Sequence, residues 1–480
     1  MHRGGSDTGG GTPAGDAAAG GVAPTPQDAG LVPKARLRVV PGIRLGPLPR
    51  IRPPHVPRPR APVRLRRIAP FLAVLGPGLI AGVAGNDAGG ITTYSVMGAT
   101  TGYTLLWLFP ITAVVLGVVQ EMAARLGTVS GQGLSDLIRD RFGVRWTLLA
   151  MGVLLLANLA NTVAEFAGAS AALGLFGIPT NVTVPVLAIG LWLVVMYASY
   201  RRLEKLFLLL SLVFVTYVAA AVLSHPDWSG VGYGLTHPSL SVPGMGTAQV
   251  LLLAVAMVGT TITPYMQFYL QSAVAEKGIG VEDLAYERAD AVVGSVWTNA
   301  IAFCIVLATA AALFGSGVHI DAAADAAVAL RPVAGDLSTT MFGIGLFGAS
   351  MLAAVIMPVS TAFVICEAFG WESGVGKPVR EAPAFFGLFT FVLLVGAVVT
   401  LIPGLDLIAV IVGSQYLQGL LLPIVLVFML VLVNDRRTMG ANANGRLLNT
   451  LGIASVALVI ILDVALLGSS LLSAIGIKAT

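Results

Sequence analysis

The residues of this sequence best placed to do chemistry lie in the stretch Gly76-Pro77-Gly78-Leu79-Ile80-Ala81-Gly82-Val83-Ala84-Gly85-Asn86-Asp87-Ala88-Gly89-Gly90. It sits inside an apolar run long enough to span a bilayer, yet it carries a carboxylate with no basic neighbour, Asp87. An acidic residue at the centre of a membrane helix costs about 2.5–3.5 kcal/mol on insertion scales. The glycines around it hold a helix poorly. Irregular backbone at membrane depth persists only where it is buried in protein or lines a cavity. A helix interrupted around an anionic group is a place for a cation. A second interruption, Gly259-Thr260-Thr261-Ile262-Thr263-Pro264-Tyr265-Met266-Gln267, falls in the middle of another apolar run. There Pro264 removes a backbone donor and clashes with the preceding turn.

Other polar groups sit within apolar runs. Asn158, Thr162 and Glu165 recur at helical spacing and share one face. Glu165 is therefore a second functional candidate, with a structural role as partner to a neighbouring helix as the alternative. Ser414, Gln415 and Gln418 lie in a later run, where their amides offer either oxygen ligands or interhelical hydrogen bonds. Asp463, near the end, reads as a satisfied packing residue. Cys304 and Cys366 are far apart in apolar segments and read as small buried hydrophobes rather than a disulfide or metal pair. Gly343-Ile344-Gly345-Leu346-Phe347-Gly348 matches a dinucleotide fingerprint by letter, but no strand precedes it, and close helix packing explains it better. Nothing in the pattern suggests an enzyme: it offers no phosphate loop and no nucleophile–base arrangement.

The elements that must position these groups follow from composition. Of 480 residues, 56% are hydrophobic and only 11% charged, with a mean hydropathy of +0.87. Soluble domains carry about 25% charged residues, so this composition describes an all-α polytopic membrane protein. Apolar runs long enough to span begin near Ile68, Thr104, Trp146, Pro185, Leu203, Ala248, Val292, Thr339, Ala384, Leu407 and Leu448, which predicts eleven spans. Residues 1–67 are set apart: Gly/Ala/Thr/Pro-rich up to about Gly30, then Pro/Arg-rich from Lys34 to Arg67. Repeated prolines and low hydrophobicity predict disorder there. The basic run suits anionic lipid head groups, and with no aromatic residues interleaved it argues against nucleic acid.

The connections alternate in charge. One set carries Arg125, Arg139, Arg141, Arg145, Arg201, Arg202, Lys205, Lys277, Arg288, Lys377, Arg380, Arg436, Arg437 and Arg446, whereas the other has Arg331 as its one clear basic residue. By the positive-inside rule the N-terminus is cytoplasmic, and eleven spans put the C-terminus outside the cell membrane. Outer loops hold Asp227, Asp321, Asp325, Asp336 and Asp406, which either concentrate cations or are ordinary loop residues. The two interruptions fall in spans one and six. These are corresponding positions if spans one to five and six to ten form an inverted repeat, and paired interruptions of that kind point to a transport site at the bilayer midplane.

At this point the sequence resembles the Nramp family of divalent-metal transporters. The resemblance covers about residues 68–432. Gly76-Pro77-Gly78 followed by Asp87-Ala88-Gly89-Gly90 is similar to that family's first-helix Asp-Pro-Gly-Asn site, and Ala124-Arg125-Leu126-Gly127 with Gly131 to its helix two–three region. Ala164-Glu165 through Phe176-Gly177-Ile178-Pro179 resembles its third helix. Thr263-Pro264-Tyr265 falls where the family has Met-Pro-His, and Ser414-Gln415 with Pro423 resembles its tenth helix. The resemblance implies a LeuT-type 5+5 inverted repeat with helices one and six broken, a transport core over 68–432, and a connection plus helix eleven over 433–480.

The departures imply more. The family's metal-binding asparagine is replaced by Gly90 and its methionine by Thr263, leaving Asp87 as the retained acidic ligand. A hydroxyl in place of a thioether removes discrimination against hard cations, and a wider site suits Mg²⁺, which keeps several waters. This pattern resembles the Nramp-related magnesium transporter branch. Where proton-coupled relatives have an aspartate and a histidine, this chain has Thr162 and Tyr265, neither of which titrates near neutral pH; Glu165 keeps the remaining acidic position. The expectation is therefore uptake of Mg²⁺, and of Mn²⁺, by alternating access without proton coupling. Asp87 supplies charge, and oxygen comes from the backbone near Ala84 and Thr261, the Thr263 hydroxyl, the Gln415 amide and Asn86. The metal is transported substrate, and no cofactor is expected. Two alternatives stay open: a proton-coupled Mn²⁺/Fe²⁺ symporter, and a sodium-coupled amino-acid transporter of the same fold.

Overall fold

The computed structural model describes residues 85–197, 215–316, 320, 323–375 and 377–474. Residues 1–67, Ala84, Arg201, Arg202, Lys205 and Asp321 lie outside them, as do the first half of the predicted first span and most of the fifth. Among the described residues every regular element is a helix, and nine helices are long and apolar enough to cross a membrane.

These nine are the predicted spans two to four and six to eleven. They run over Leu108–Ser130, Val144–Gly174, Thr180–Tyr197, Thr247–Glu276, Val281–Leu313, Gly335–Phe369, Pro383–Thr400, Leu407–Asn434 and Arg446–Leu471. The first span is represented by Ala88–Thr101 and the fifth by Thr216–Leu223. The seventh differs most from expectation. Its α-helix begins at Leu284, well before the apolar run at Val292, and Arg288 in that first stretch pairs with Glu121 of the second span at 2.8 Å. Local chemistry sets other ends. Gly131 and Gly370 close the second and eighth spans in the left-handed region that glycine tolerates, and Asp406 caps the tenth by accepting from Ala409 N.

Burial separates centre from periphery. The most apolar window of the eighth span is 94% buried, that of the fourth only 22%, so the eighth is an inner helix and the fourth faces outward. The third span packs against both the eighth and the tenth, the first packs on the seventh, and the first half of the sixth lies along the tenth. That last approach depends on small residues. A Cβ at Gly259 would fall 2.2 Å from the Gln415 carbonyl oxygen, and one at Gly419 would fall 2.6 Å from the Val255 carbonyl oxygen. Close helix packing in lipid is built in this way.

Two arginines of the basic connections are held by partners on other segments. Buried Arg125 meets Glu121 at 3.0 Å, donates Nη1 to the Asn442 carbonyl at 2.8 Å, and bonds the Asn444 side chain through Nη2. Arg141 reaches Asp435 at 2.8 Å. The connection between spans ten and eleven is thus tied to the second span and to the short helix Leu134–Phe142 that follows it.

Candidate metal site

Residues 85–87 are non-helical, and a helix starts at Ala88. Asp87 is its N-cap, with extended backbone (φ −74°, ψ −175°) and a side chain 2% exposed. Its Oδ1 accepts from Gly90 N at 2.8 Å, satisfying one of the donors that the first turn leaves free. Its Oδ2 accepts from Asn161 Nδ2 of the third span at 3.1 Å.

Asn161 is the hub of the site. Its Oδ1 accepts from Gln415 Nε2 at 2.7 Å and from Gln418 Nε2 at 3.0 Å, both on the tenth span. Gln418 Nε2 also donates to Gln415 Oε1 at 2.8 Å. The Asn161 amide lies 3.5 Å from the Met357 thioether of the eighth span. One carboxylate and three amides therefore join spans one, three and ten. Gly89 makes the crossing possible, since a Cβ there would fall 2.0 Å from Gln415 Nε2.

The third span also brings Glu165 to the start of the first helix. Its Oε2 accepts from Ala88 N at 3.4 Å, and its carboxyl faces that of Asp87. Two carboxyl groups this close in a low-dielectric interior repel one another unless a proton or a cation lies with them. The site thus has chemistry for either.

The sixth span is broken as the sequence predicts. One helix ends at Thr261, Ile262 (φ −125°, ψ 59°) and Thr263 (φ −64°, ψ 140°) are non-helical, and a second helix begins with Pro264 at its first position. Pro264 has no N–H to return to the preceding carbonyls, so the last carbonyls of the first half keep free lone pairs. Tyr94 ties the first helix to the end of the sixth span's first half through a 2.9 Å hydrogen bond between its hydroxyl and Thr261 Oγ1. Asn86 Oδ1, Thr260 Oγ1, Thr263 Oγ1 and Gln418 Oε1 are all buried with no hydrogen-bond partner. Leaving a buried polar atom unpaired costs about 1–3 kcal/mol. Of these, Asn86 adjoins Asp87 in sequence, Gln418 bonds Asn161, and Thr260 Oγ1 lies 3.3 Å from where a Cβ at Gly90 would stand; oxygens of this kind are what a hard cation takes.

Several expectations need correction. Gly90 does not widen the site: a Cβ there would lie 2.7 Å from the Gly85 carbonyl oxygen and 3.3 Å from Thr260 Oγ1, so backbone fills the space of the missing side chain. Gln415 turns its nitrogen towards Gly89 and engages its oxygen with Gln418, so the unpaired amide oxygen in this layer is that of Gln418. Thr162 sits apart. Its hydroxyl donates to the Asn158 carbonyl at 2.7 Å and its methyl lies where a Cβ at Gly396 of the ninth span would go. Tyr265 is buried in the core alongside Met266, whose sulfur takes Gln120 Nε2 at 3.9 Å. The surroundings are not free of sulfur, since Met357 stands one side chain from Asp87. Asn161 and Met357 were not singled out by sequence. Asn161 carried a signal, lying one helical turn before Glu165 on the same face; Met357 carried none.

Among the described residues every regular element is a helix, the sixth span is broken and the first described helix starts at a buried carboxylate, an architecture like that of the LeuT-type inverted-repeat transporters. The Nramp family model, described as natural resistance-associated macrophage protein-like, matches residues 78–469, and the chain belongs to that family. It is 28% identical over 420 residues to "Divalent metal cation transporter MntH" of Yersinia pestis (strain Pestoides F), a match covering 85% of this chain and 97% of that protein. The same values hold for the protein of that name from Yersinia pseudotuberculosis serotype O:1b (strain IP 31758). Among solved structures, the Eremococcus coleocola manganese transporter superposes with a TM-score of 0.70 at 21% identity, covering 88% of this chain and 91% of that one. MhsT, solved with L-phenylalanine, superposes with a TM-score of 0.52 at 17% identity, covering 84% and 98%. Both structural matches speak to the fold.

Proposed function

We propose that this protein moves a divalent metal cation across the cell membrane by alternating access, with Mg²⁺ and Mn²⁺ as substrates and no obligatory proton partner. One observation carries the reading: Asp87, at the non-helical start of the first described helix, is held by Asn161, and unpaired buried oxygens belong to its neighbour Asn86 and to Gln418, which bonds the same Asn161. Asp87 supplies the charge. Asn86, Thr263, Gln418 and the free carbonyls at Thr261 supply oxygen, in part through waters the ion retains. Hydroxyl in place of thioether at Thr263 supports Mg²⁺, while similarity to divalent metal cation transporters supports a divalent metal in general, and the fold shared with a manganese transporter is compatible with Mn²⁺. An inside-negative potential supplies about 2.3 kcal/mol per charge per 100 mV, doubled for a divalent ion, which drives uptake without protons. The charge asymmetry of the connections supports a cytoplasmic N-terminus.

A second reading, the proton-coupled Mn²⁺/Fe²⁺ symporter, is favoured by the Glu165 carboxyl against Asp87, because a cation entering there displaces any proton held between them. Sodium-coupled amino-acid transport is disfavoured: Asp87 at the first break would repel a substrate carboxylate.

Flux into liposomes, with Mg²⁺ and Mn²⁺ tested separately and a pH dye inside, is the test. The proposal expects uptake of both metals with no acidification, and no uptake of either by Asp87→Ala. Uptake by Asp87→Ala at the wild-type rate overturns the site. Metal-dependent acidification establishes the second reading in place of uncoupled transport.

A further inference from the structure

An apolar groove of about 470 Å³ opens between the start of the third span and the second half of the tenth. Phe142, Trp146, Leu149, Pro423, Val427 and Phe428 line it. Its volume falls within the range of small-molecule pockets, about 300–1,000 Å³. The aromatic side chains brace one another edge to face, with ring centroids 5.2 Å apart for Phe142–Phe428 and 6.1 Å for Trp146–Phe428. The groove has a direction. Leu149 and Pro423 lie towards the middle of their helices, and Trp146 and Val431 towards the ends.

At that end the surface turns basic. Arg141 and Arg145 stand next in sequence to the lining residues Phe142 and Trp146, and both are exposed. Arg436 and Arg437, also exposed, follow directly on the tenth span. The 2.8 Å Arg141–Asp435 ion pair joins these two segments, so all four arginines stand at the same end of the groove. Asp435 and the exposed Asp140 offset part of that charge and leave it net positive.

We propose that this groove is a binding site for one anionic phospholipid. An acyl chain lies along the aromatic and aliphatic wall, and the phosphate head group is held by the arginine rim. The charge complementarity identifies the occupant. A neutral lipid satisfies the groove but not the rim, whereas an anionic one satisfies both. Arginine suits the task because its planar fork holds phosphate oxygens in pairs, and basic pockets between membrane helices recognise anionic head groups in this manner. Trp146, 52% exposed at the rim, stands at the depth where indole rings favour the head-group layer. The site lies outside the carboxylate–amide cluster, and the proposal holds whichever metal the protein carries.

The test uses the full-length protein, extracted in neutral detergent from liposomes of equal phosphatidylglycerol and phosphatidylcholine, with retained lipid counted by native mass spectrometry. One retained phosphatidylglycerol per chain, in preference to phosphatidylcholine, is the expected result. Replacing two of the four arginines, Arg145→Gln with Arg437→Gln, is expected to lower that retention about tenfold or more. Val427→Trp, which fills the groove and leaves the rim intact, is expected to lower it as well; Val427 is 43% exposed, so the larger side chain does not crowd the core. Equal retention of the two lipids by the wild type overturns the proposal. So does undiminished phosphatidylglycerol in the arginine variant, and undiminished retention in Val427→Trp overturns the seating of the chain in the groove.

Discussion

Asn161 donates to the Asp87 carboxylate at 3.1 Å while its own oxygen accepts from Gln415 and Gln418, so one amide fixes the acidic group of the first span to two side chains of the tenth. Asp87 is thereby oriented from both sides, by the first turn of its own helix through Oδ1 and by the third span through Oδ2. A ligand oriented this way loses little freedom when an ion arrives.

Asn161→Ala removes the orienting amide and leaves the carboxylate in place. Loss of such a partner typically costs about 10–100-fold in metal affinity. The expected outcome is a rise of that size in the half-saturating metal concentration for liposome uptake, with expression retained and a lowered melting temperature, because Gln415 and Gln418 lose a buried acceptor.

Gly89→Ala places a methyl group where Gln415 now lies, 2.0 Å from its Nε2. Either Gln415 withdraws or the first helix shifts, and overpacking of this kind costs about 1–3 kcal/mol. A lowered melting temperature together with impaired uptake is expected. Gly152→Ala, at a third-span position with open space around it, is the control and is expected to leave both unchanged.

Met357→Leu keeps the volume of the side chain and removes the sulfur that meets Asn161. Soft ions lose most from that exchange. Cadmium is expected to compete less well against Mn²⁺ uptake in the variant, with Mg²⁺ uptake unaltered. Unchanged cadmium inhibition would show that the thioether has no contact with the ion.

Arg125→Gln breaks a buried pair and strips two bonds from the connection between spans ten and eleven. Removing one partner of a buried ion pair costs about 3–5 kcal/mol. Arg288, also on Glu121, softens the loss. A clear fall in melting temperature is expected, larger than for Arg141→Gln, whose side chain is 47% exposed.

Much of the frame was legible in the residues. Apolar runs separated by charged connections located nine helices within a few residues, save the seventh, which extends by two polar turns before its apolar run. Pro264 announced its own break, since a missing N–H is a local fact. Asp87 announced itself because a carboxylate in an apolar run demands an explanation wherever the chain goes. The roles of the amides could not be read this way. Asn, Gln and Thr within a span look alike in sequence, and whether each bonds its own helix or a neighbour depends on the face it presents. Thr162 returns its hydroxyl to Asn158, while Asn161, one position earlier, points to Asp87. Gly90 shows the same limit: its small size read as room, but the chain folds back and fills it with the Gly85 carbonyl.

The sequence by itself marked the apolar runs long enough to cross a membrane, the break at Pro264 and a lone carboxylate within an apolar run. These follow from hydrophobic transfer and backbone chemistry, which act over a turn or two of chain. The tertiary structure decided which polar atoms meet that carboxylate and which are left without a partner. Hydrogen bonds form over about 3 Å between helices far apart in sequence, and only packing brings residues 87, 161, 357 and 415 within that reach.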